Sequence, residues 1–337
     1  MELSDKSCLT CWLIPTIQLF PILICSIIIQ NQFNEDFEFK LRSIFPNLEL
    51  VIFGESFNQH LNPEKINGIT EIIFSDNFNT ELVSQNEPMK DNGILPSLKK
   101  IKFGLHFNQF IKDGLIPNIE ELKFGNNFNN GYSYGSNPME YLFLEGTFPE
   151  LKKVVFGNKF NMPIVKNVMP KIEEIFFGNE YINSNFDYED GTFPVLKKVH
   201  FGDDFNLKIN PGEMPNVEEI IFESNSWFYQ EIKEKTFPKL KKIMFGDIFS
   251  NSFDSLIEKD SMPEVEEIIF GSVDESKINE EFIKSFKNLK KIQKYTKTKF
   301  KIIWSIHKEE ISDTFPQKNE NDNDNENDNE NDNENDN

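Results

Sequence analysis

The chain has 337 residues, with 35 basic against 56 acidic side chains and a formal net charge of −21. Such an acidic balance argues against a nucleic-acid-binding protein, which needs a basic surface. Its three cysteines, Cys8, Cys11 and Cys25, all lie near the N-terminus, so no disulfide framework is expected. The sequence also lacks an Asn-x-Ser/Thr glycosylation acceptor, and we therefore expect a cytoplasmic protein.

No arrangement of residues typical of catalysis is found in the sequence. The four histidines are scattered, and none is paired with a cysteine or carboxylate at a recognisable spacing. They are His60, His106, His200 and His307. The glycine-rich phosphate motifs and His-Glu-x-x-His are missing, and Cys8-x-x-Cys11 lacks the second pair or histidine of a zinc site. We therefore expect a protein that is not an enzyme and that has no catalytic residues, cofactor or metal site.

Residues 1–44 form an apolar N-terminal segment with two interpretations. Residues 8–29 carry no charge over 22 positions, which is long enough to span a bilayer. The preceding residues lack the basic bias of a signal peptide. The segment that contains Phe20-Pro21 and Phe33-Asn34 also matches the repeat of the following residues, with one inserted residue. We favour a degenerate capping repeat, because terminal repeats are commonly atypical, and keep a membrane anchor at residues 8–29 as the alternative.

Residues 45–292 repeat one motif, of which Leu95 to Asn108 is a clear copy. Copies can be aligned on the apolar residue two places after a proline or its equivalent, and they are mostly 21 to 25 residues apart. The anchors are Leu48, Ile69, Leu98, Ile119, Leu151, Ile172, Leu196, Val217, Leu240, Val265 and Leu289. This period is typical of leucine-rich-repeat solenoids. We predict an α/β or mainly β solenoid with one parallel strand per coil of about 21–25 residues, joined by extended chain or short 3₁₀ turns.

From Leu98 onward, two charges follow each anchor, and their sign alternates from coil to coil. Lys-Lys follows Leu98, Glu-Glu follows Ile119, and the alternation continues over nine coils. Opposite charges on neighbouring strands attract and like charges repel, so alternation can define the strand register. Duplication of a two-coil unit would explain the same pattern. The second charge of each pair forms a predicted charge ladder: Lys100, Glu121, Lys153, Glu174, Lys198, Glu219, Lys242 and Glu267.

Five of the predicted strands end in Phe-Gly-x-x-Phe-Asn, as in Phe103-Gly104 to Phe107-Asn108, and others end in looser copies such as Phe74 to Phe78-Asn79. This recurring motif resembles the FNIP repeat family, a divergent relative of leucine-rich repeats, over residues 45–292. The resemblance implies a protein-interaction scaffold. The Ile-Pro that follows Phe-Asn in the family is mostly missing, and the last two copies lose the asparagine. From the residues themselves we expect stacked phenylalanines, a glycine that permits a sharp departure from the strand, and an asparagine that bonds the following turn.

The residue between the two inward-facing positions of each strand points outward and forms a candidate partner-binding column. Seven of its ten members are apolar, and an exposed apolar stripe marks a contact surface. The column contains Ile52, Ile73, Lys102, Lys123, Val155, Phe176, His200, Ile221, Met244 and Ile269, and all but the two lysines are candidate contact residues. The alternative is that these β-branched residues serve only strand propensity, although Phe176 and Met244 favour a contact surface.

The C-terminal residues divide into a cap and a tail. Residues 293–318 contain the apolar segment Thr298–Ile311, which we predict to cover the edge formed by Leu289–Ile292. Residues 319–337 consist only of Asn, Asp and Glu and are predicted to be disordered. The longest insertion between copies, Asn129–Leu151, carries Tyr132, Tyr134 and Tyr141, and a plain insertion is its simplest interpretation.

Three functions fit the sequence. The first is a non-catalytic scaffold that binds a protein partner through the strand face and does not bind nucleic acid. The second is the same scaffold anchored in a membrane by residues 8–29. The third is a structural protein that self-associates through an unpaired end of the solenoid.

Overall fold

The computed structural model describes residues 25–29, 33–34, 36–37, 39–129, 143–182, 192–250, 252–296 and 299–305. In this part of the chain, thirteen strands form one sheet, and their order in the sheet is their order in the sequence. The strands are β1 Ser26–Ile28, β2 Leu50–Ile52, β3 Glu71–Ile73, β4 Lys100–Lys102, β5 Glu121–Lys123, β6 Lys153–Val155, β7 Glu174–Phe176, β8 Lys198–Phe201, β9 Glu219–Phe222, β10 Lys242–Met244, β11 Glu267–Phe270, β12 Lys291–Thr296 and β13 Lys299–Ser305. Strands β1 to β12 are parallel, and this confirms the predicted solenoid with one strand per coil.

The described connections between strands contain little helix. The helices are α1 Leu41–Ile44, α2 Asp247–Ser250, α3 Phe253–Leu256 and α4 Glu280–Lys284, and a 3₁₀ turn covers Glu275–Lys277. Short periods leave no room for a longer helix between two strands, so the fold is mainly β.

Every parallel strand pairs with the next without a register shift. Lys100 lies beside Glu121, Ile101 beside Leu122 and Lys102 beside Lys123. The middle residue of each strand is buried, because alternate side chains of a strand point to opposite faces. The first and third residues therefore line the outer face of the sheet.

The core contains a double column of aromatic rings. Within one coil, the rings of Phe103 and Phe107 stack with centroids 3.7 Å apart. Between coils, the Phe103 ring stacks on Phe124 at 5.5 Å, and Phe107 stacks on Phe128 at 6.0 Å. Full burial of each phenylalanine contributes about 1.5–3 kcal/mol, and stacking adds about 0.5–1.5 kcal/mol. This double column is the main source of cohesion between neighbouring coils.

The glycine of Phe-Gly has a different role from the predicted one. Its backbone is not in the left-handed region. Instead, a Cβ on Gly125 would lie 1.9 Å from the carbonyl oxygen of Gly104, and a Cβ on Gly157 would lie 1.9 Å from that of Gly125. The residue must therefore be glycine because successive coils approach too closely for a side chain.

The residue three places before the coil proline has a left-handed backbone in several coils. Gly93, Gly114, Gly146 and Gly212 have φ values from 69° to 96°. The same position holds Asn167, Lys235 and Asp260 in three other coils, with φ from 58° to 62°. Here glycine is favoured because it adopts this conformation without the steric cost of a Cβ.

The asparagine of Phe-Asn also differs from expectation. In the described coils that carry this asparagine, its side-chain oxygen accepts a hydrogen bond from the backbone of the next coil. The Asn58 Oδ1 accepts a hydrogen bond of 2.8 Å from the backbone N–H of Asn79, whose own Oδ1 accepts from Asn108 N–H at 2.9 Å. We call this column, Asn34, Asn58, Asn79, Asn108, Asn129 and Asn161, the asparagine ladder. It continues the hydrogen bonding between coils beyond the end of each strand.

The first described coil joins the solenoid directly. Ser26 pairs with Leu50, and Ile28 with Ile52. The ring of Phe33 stacks on Phe57 at 6.3 Å, and Asn34 Oδ1 accepts from Asn58 N–H at 2.8 Å. Among the described residues, no helix is long and apolar enough to cross a membrane. The remainder of the proposed anchor, residues 8–24, lies outside the described residues.

At the other end, β13 pairs antiparallel with β12 and covers its edge. Lys291 lies beside Ser305, and Ile292 beside Trp304, with a register irregularity between Ile292 and Gln293. The reversal of strand direction ends the parallel repeat. Residues 306–311 of the predicted cap, the acidic tail, and Tyr132, Tyr134 and Tyr141 lie outside the described residues.

The two kinds of glycine can be separated by mutation. We expect Gly125→Ala to lower the free energy of unfolding by about 2–4 kcal/mol, because the Cβ collides with backbone that cannot move independently. Gly146→Ala meets no atom within 4 Å, and should cost only the left-handed conformation, about 1–2 kcal/mol. Urea denaturation of both variants measures the difference. Equal losses would contradict the close-approach role of Gly125.

The asparagine ladder predicts one loss and one gain of stability. Asn108→Ala removes the acceptor for Asn129 N–H and should lower the free energy of unfolding by about 1 kcal/mol. Ile182 occupies the ladder position but has no acceptor for Asn206, so Ile182→Asn should raise the free energy of unfolding by about 0.5–1 kcal/mol. Thermal and urea unfolding test both changes, and a destabilised Ile182→Asn would contradict the ladder.

Candidate protein-binding surface on the strand face

The third residues of the parallel strands form one column, which we call the strand-face stripe. Strand pairing places each member beside the next, at the spacing of neighbouring strands of about 4.8 Å. The stripe consists of Ile28, Ile52, Ile73, Lys102, Lys123, Val155, Phe176, His200, Ile221, Met244, Ile269 and Gln293. The structure therefore brings together the residues of the predicted column and adds one at each end.

Most stripe residues are accessible to a partner. Those from Ile52 to Met244 are partly or fully exposed, and Ile28 is 71% exposed. Ile269 was predicted to be an exposed contact, but it is only 3% exposed. It lies between Met244 and Gln293, and these longer side chains on both sides leave little of it accessible. The accessible surface therefore ends at Met244.

An aromatic and charged cluster occupies the middle of the stripe. The Phe176 ring meets the His200 ring edge-on, with centroids 5.7 Å apart. Lys153 Nζ lies 5.3 Å from the Phe176 ring centroid, a cation–π arrangement, and His200 Nε2 lies 3.2 Å from Glu223 Oε1. The cluster fixes the orientation of the largest exposed side chain of the stripe.

Glu223 was missed by the sequence reasoning, although a signal existed. Most other coils have glycine after the first phenylalanine, as at Gly202 and Gly246, but Phe222 is followed by glutamate. This departure from the repeat places a carboxylate beside His200. Ile28 was missed because one inserted residue displaces the first strand from the repeat spacing.

The predicted charge ladder forms ion pairs along one side of the stripe. Lys100 Nζ lies 2.6 Å from Glu121 Oε1, and Lys153 Nζ lies 3.0 Å from Glu174 Oε2. Lys198 Nζ lies 3.0 Å from Glu219 Oε2. The ladder continues through Glu219–Lys242 and Lys242–Glu267 at 3.7 Å and Glu267–Lys291 at 3.5 Å.

A second column of alternating charges lies one residue before each strand, and we call it the pre-strand ladder. It contains Lys99, Glu120, Lys152, Glu173, Lys197, Glu218, Lys241, Glu266 and Lys290. Glu120 lies between two lysines, with Lys99 Nζ at 3.0 Å and Lys152 Nζ at 2.7 Å. Hydrogen bonds from Lys152 and Lys99 lower the pKa of Glu120 to about 2. The bond to Glu120 in turn raises the pKa of Lys152.

The two ladders limit the kinds of partner that the strand face can attract by its charge. Their charges neutralise each other, so they present no broad field of one sign beside the stripe. Within the described residues, no group of three or more His, Cys, Asp or Glu side chains could hold a metal ion. The arrangement offers apolar contact bordered by ion pairs, which suits recognition of another polypeptide.

The pre-strand ladder makes stability depend on pH. Because the pKa of Glu120 is lowered from 4.5 to about 2 on folding, its contribution is complete above pH 5 and is lost as the pH falls toward 2. We expect Glu120→Gln to lower the Tm by on the order of 1–2 °C at pH 6, with the difference disappearing near pH 2. Glu180→Gln, at an exposed position outside both ladders, is the control and should show the wild-type pH profile. An unchanged pH profile in Glu120→Gln would refute the assignment, and 1 M NaCl should reduce the difference at pH 6.

Comparisons with known proteins agree with this geometry. The family model described as FNIP Repeat matches residues 85–127, which contain the motif of the β4 coil and most of that of β5. The crystal structure of CroV588, described as a novel circular LRR protein structure, is similar with a TM-score of 0.57 and 24% sequence identity. This similarity covers 80% of the present chain and 40% of CroV588, and it concerns the fold alone. A comparison with curated proteins gives no significant match.

The residues matched by the family model are one instance of a motif that recurs in register along the sheet. Their phenylalanines, glycine and asparagine make the same contacts between coils in most of the other copies. Residues 85–127 match the FNIP Repeat family model, and the motif that they contain recurs along a leucine-rich-repeat-like solenoid.

Proposed function

We propose that the chain is a non-catalytic cytoplasmic scaffold that binds another protein through the strand-face stripe. The observation that carries the proposal is a mostly apolar column, partly exposed from β1 to β10, beside charges that already pair with one another. Partly exposed apolar side chains lose water on contact with a partner, and this burial supplies affinity at about 25 cal/mol per Å².

Strand propensity alone is a weaker explanation of the stripe. It accounts for isoleucine and valine, which are enriched in strands, but not for Met244, because methionine has no such preference. Methionine and aromatic residues are instead enriched at protein interfaces. Phe176, held between Lys153 and His200, is a suitable central anchor for a partner.

The test compares two variants that each lose four partly exposed apolar side chains. The stripe variant combines Val155→Ser, Phe176→Ser, Ile221→Ser and Met244→Ser. The control variant combines Leu144→Ser, Val195→Ser, Trp227→Ser and Tyr229→Ser, whose side chains are exposed outside the strands. Circular dichroism and Tm establish that both variants retain the solenoid.

Affinity purification from the native cell, with quantitative mass spectrometry, then gives the result. We expect a set of proteins recovered with the wild type and the control variant and reduced at least tenfold with the stripe variant. Equal recovery with all three folded proteins would overturn the proposal. Loss only with the control variant would place the binding surface in the turns.

A further inference from the structure

Two lysines interrupt the apolar stripe, and strand pairing places them side by side. Lys102 on β4 is the direct neighbour of Lys123 on β5. Like charges placed directly opposite each other on neighbouring strands destabilise the fold. The two neighbouring columns avoid this arrangement by alternating Lys and Glu at every step from Lys99 onward. A locally unfavourable pair in an otherwise consistent pattern is a feature expected of functional positions.

No acidic side chain of the protein compensates this pair among the described residues. The ion pairs of β4 and β5 join Lys99 to Glu120 and Lys100 to Glu121. Within the ranges that the structure describes, neither Lys102 nor Lys123 takes part in an ion pair. Lys102 is exposed and Lys123 is half-buried.

A second pair of neighbouring lysines shows how the fold treats like charges elsewhere. Lys294 on β12 lies beside Lys301 on β13. Glu275 stands between them, with its Oε1 at 2.9 Å from Lys301 Nζ and at 3.9 Å from Lys294 Nζ. Among the described residues, no acidic side chain stands between Lys102 and Lys123 as Glu275 stands between the other two lysines. A partner can therefore supply the acidic group.

The neighbours of the lysine pair are apolar. Ile73 lies beside Lys102, and Val155 lies beside Lys123. A partner that covers these apolar residues also removes water from the two ammonium groups. Burying an unpaired charge is costly, so binding is favourable only when the partner brings opposite charge to the same place.

We propose that the partner of the strand-face stripe carries a pair of acidic side chains over Lys102 and Lys123, adjoining an apolar run over Val155 to Met244. This inference rests on the proposed function and specifies the chemistry of the partner. Four strand spacings separate Val155 from Met244, so the apolar run extends over about 19 Å. A polynucleotide fits poorly, because the glutamates of both ladders lie alongside and the chain has a net charge of −21.

A phage-displayed library of random 16-residue peptides provides the probe. The library is selected on the wild-type protein, on the Lys102→Glu/Lys123→Glu variant, and on the stripe variant defined above. Lys112→Glu/Lys208→Glu is the matched control, because it makes the same charge change at exposed lysines outside the sheet. The most enriched peptide is then synthesised with a fluorescein label, and its Kd is measured by fluorescence polarisation at 50 and 300 mM NaCl.

We expect the wild type to enrich peptides with an acidic pair beside an apolar run. Their Kd should rise at least tenfold with Lys102→Glu/Lys123→Glu and less than twofold with the control, and 300 mM NaCl should weaken binding to the wild type. The Lys102→Glu/Lys123→Glu protein should itself enrich peptides with a basic pair beside an apolar run.

Other outcomes separate the two proposals. Peptides that need the stripe but show no acidic preference, with Kd unchanged by Lys102→Glu/Lys123→Glu, would overturn this inference and leave the proposed function intact. Absence of stripe-dependent peptides would count against both. A labelled 16-nucleotide single strand that binds through Lys102 and Lys123 would overturn the inference by assigning the lysines to nucleic acid.

Discussion

The structure depends on the short distance between successive coils. Parallel strands joined by hydrogen bonds lie about 4.8 Å apart, and each coil must approach its neighbour this closely along the strand and the turn that follows. Glycine meets the requirement at Gly104, Gly125 and Gly157, where a Cβ would overlap the preceding coil. Phenylalanine allows the close approach in the interior, because flat rings can stack at 5.3–6.3 Å from coil to coil. Asparagine extends the inter-coil hydrogen bonds where the strand ends.

The charges on neighbouring coils also help to define the register in which the strands pair. A slip of one residue would exchange buried and exposed faces, so the hydrophobic pattern already opposes it. The alternating charges also favour the native order of the coils, because most lysines of the two ladders lie between glutamates of the neighbouring coils. Exposed ion pairs are individually weak, and their effect depends on the number of coils that repeat them. The lowered pKa of Glu120 reflects its position between two lysines.

The strand-face stripe follows from the same periodicity. The third residue of most of the short strands lies outside the core, and that column is therefore free to vary without loss of the core. Its members differ from coil to coil, whereas the charges beside them keep a fixed rule. The core and the paired charges hold the coils together, whereas the variable stripe is the surface that we propose for contact with a partner. The lysine pair at Lys102 and Lys123 and the cluster around Phe176 are positions where the column departs from a simple strand-forming pattern.

Much of the architecture could be predicted from the sequence, because every coil repeats a similar sequence motif. The spacing of Leu48 to Leu289 predicted the strands, and the alternating Lys and Glu predicted the side-by-side charges. The sequence also predicted the stripe, since alternation within a strand decides which residue points outward.

The tertiary structure decided what depends on the distance between coils. The sequence identifies a glycine but not whether its backbone conformation or its missing Cβ matters, and the close contact between Gly104 and Gly125 settles the question. In the same way, an asparagine can bond its own turn or the next coil, and only the coil spacing selects the second. Ile269 is buried because Met244 and Gln293 lie beside it on the neighbouring strands. Glu223 contacts His200 because the two residues lie on neighbouring coils. These contacts join residues more than 20 positions apart, so no local pattern can specify them.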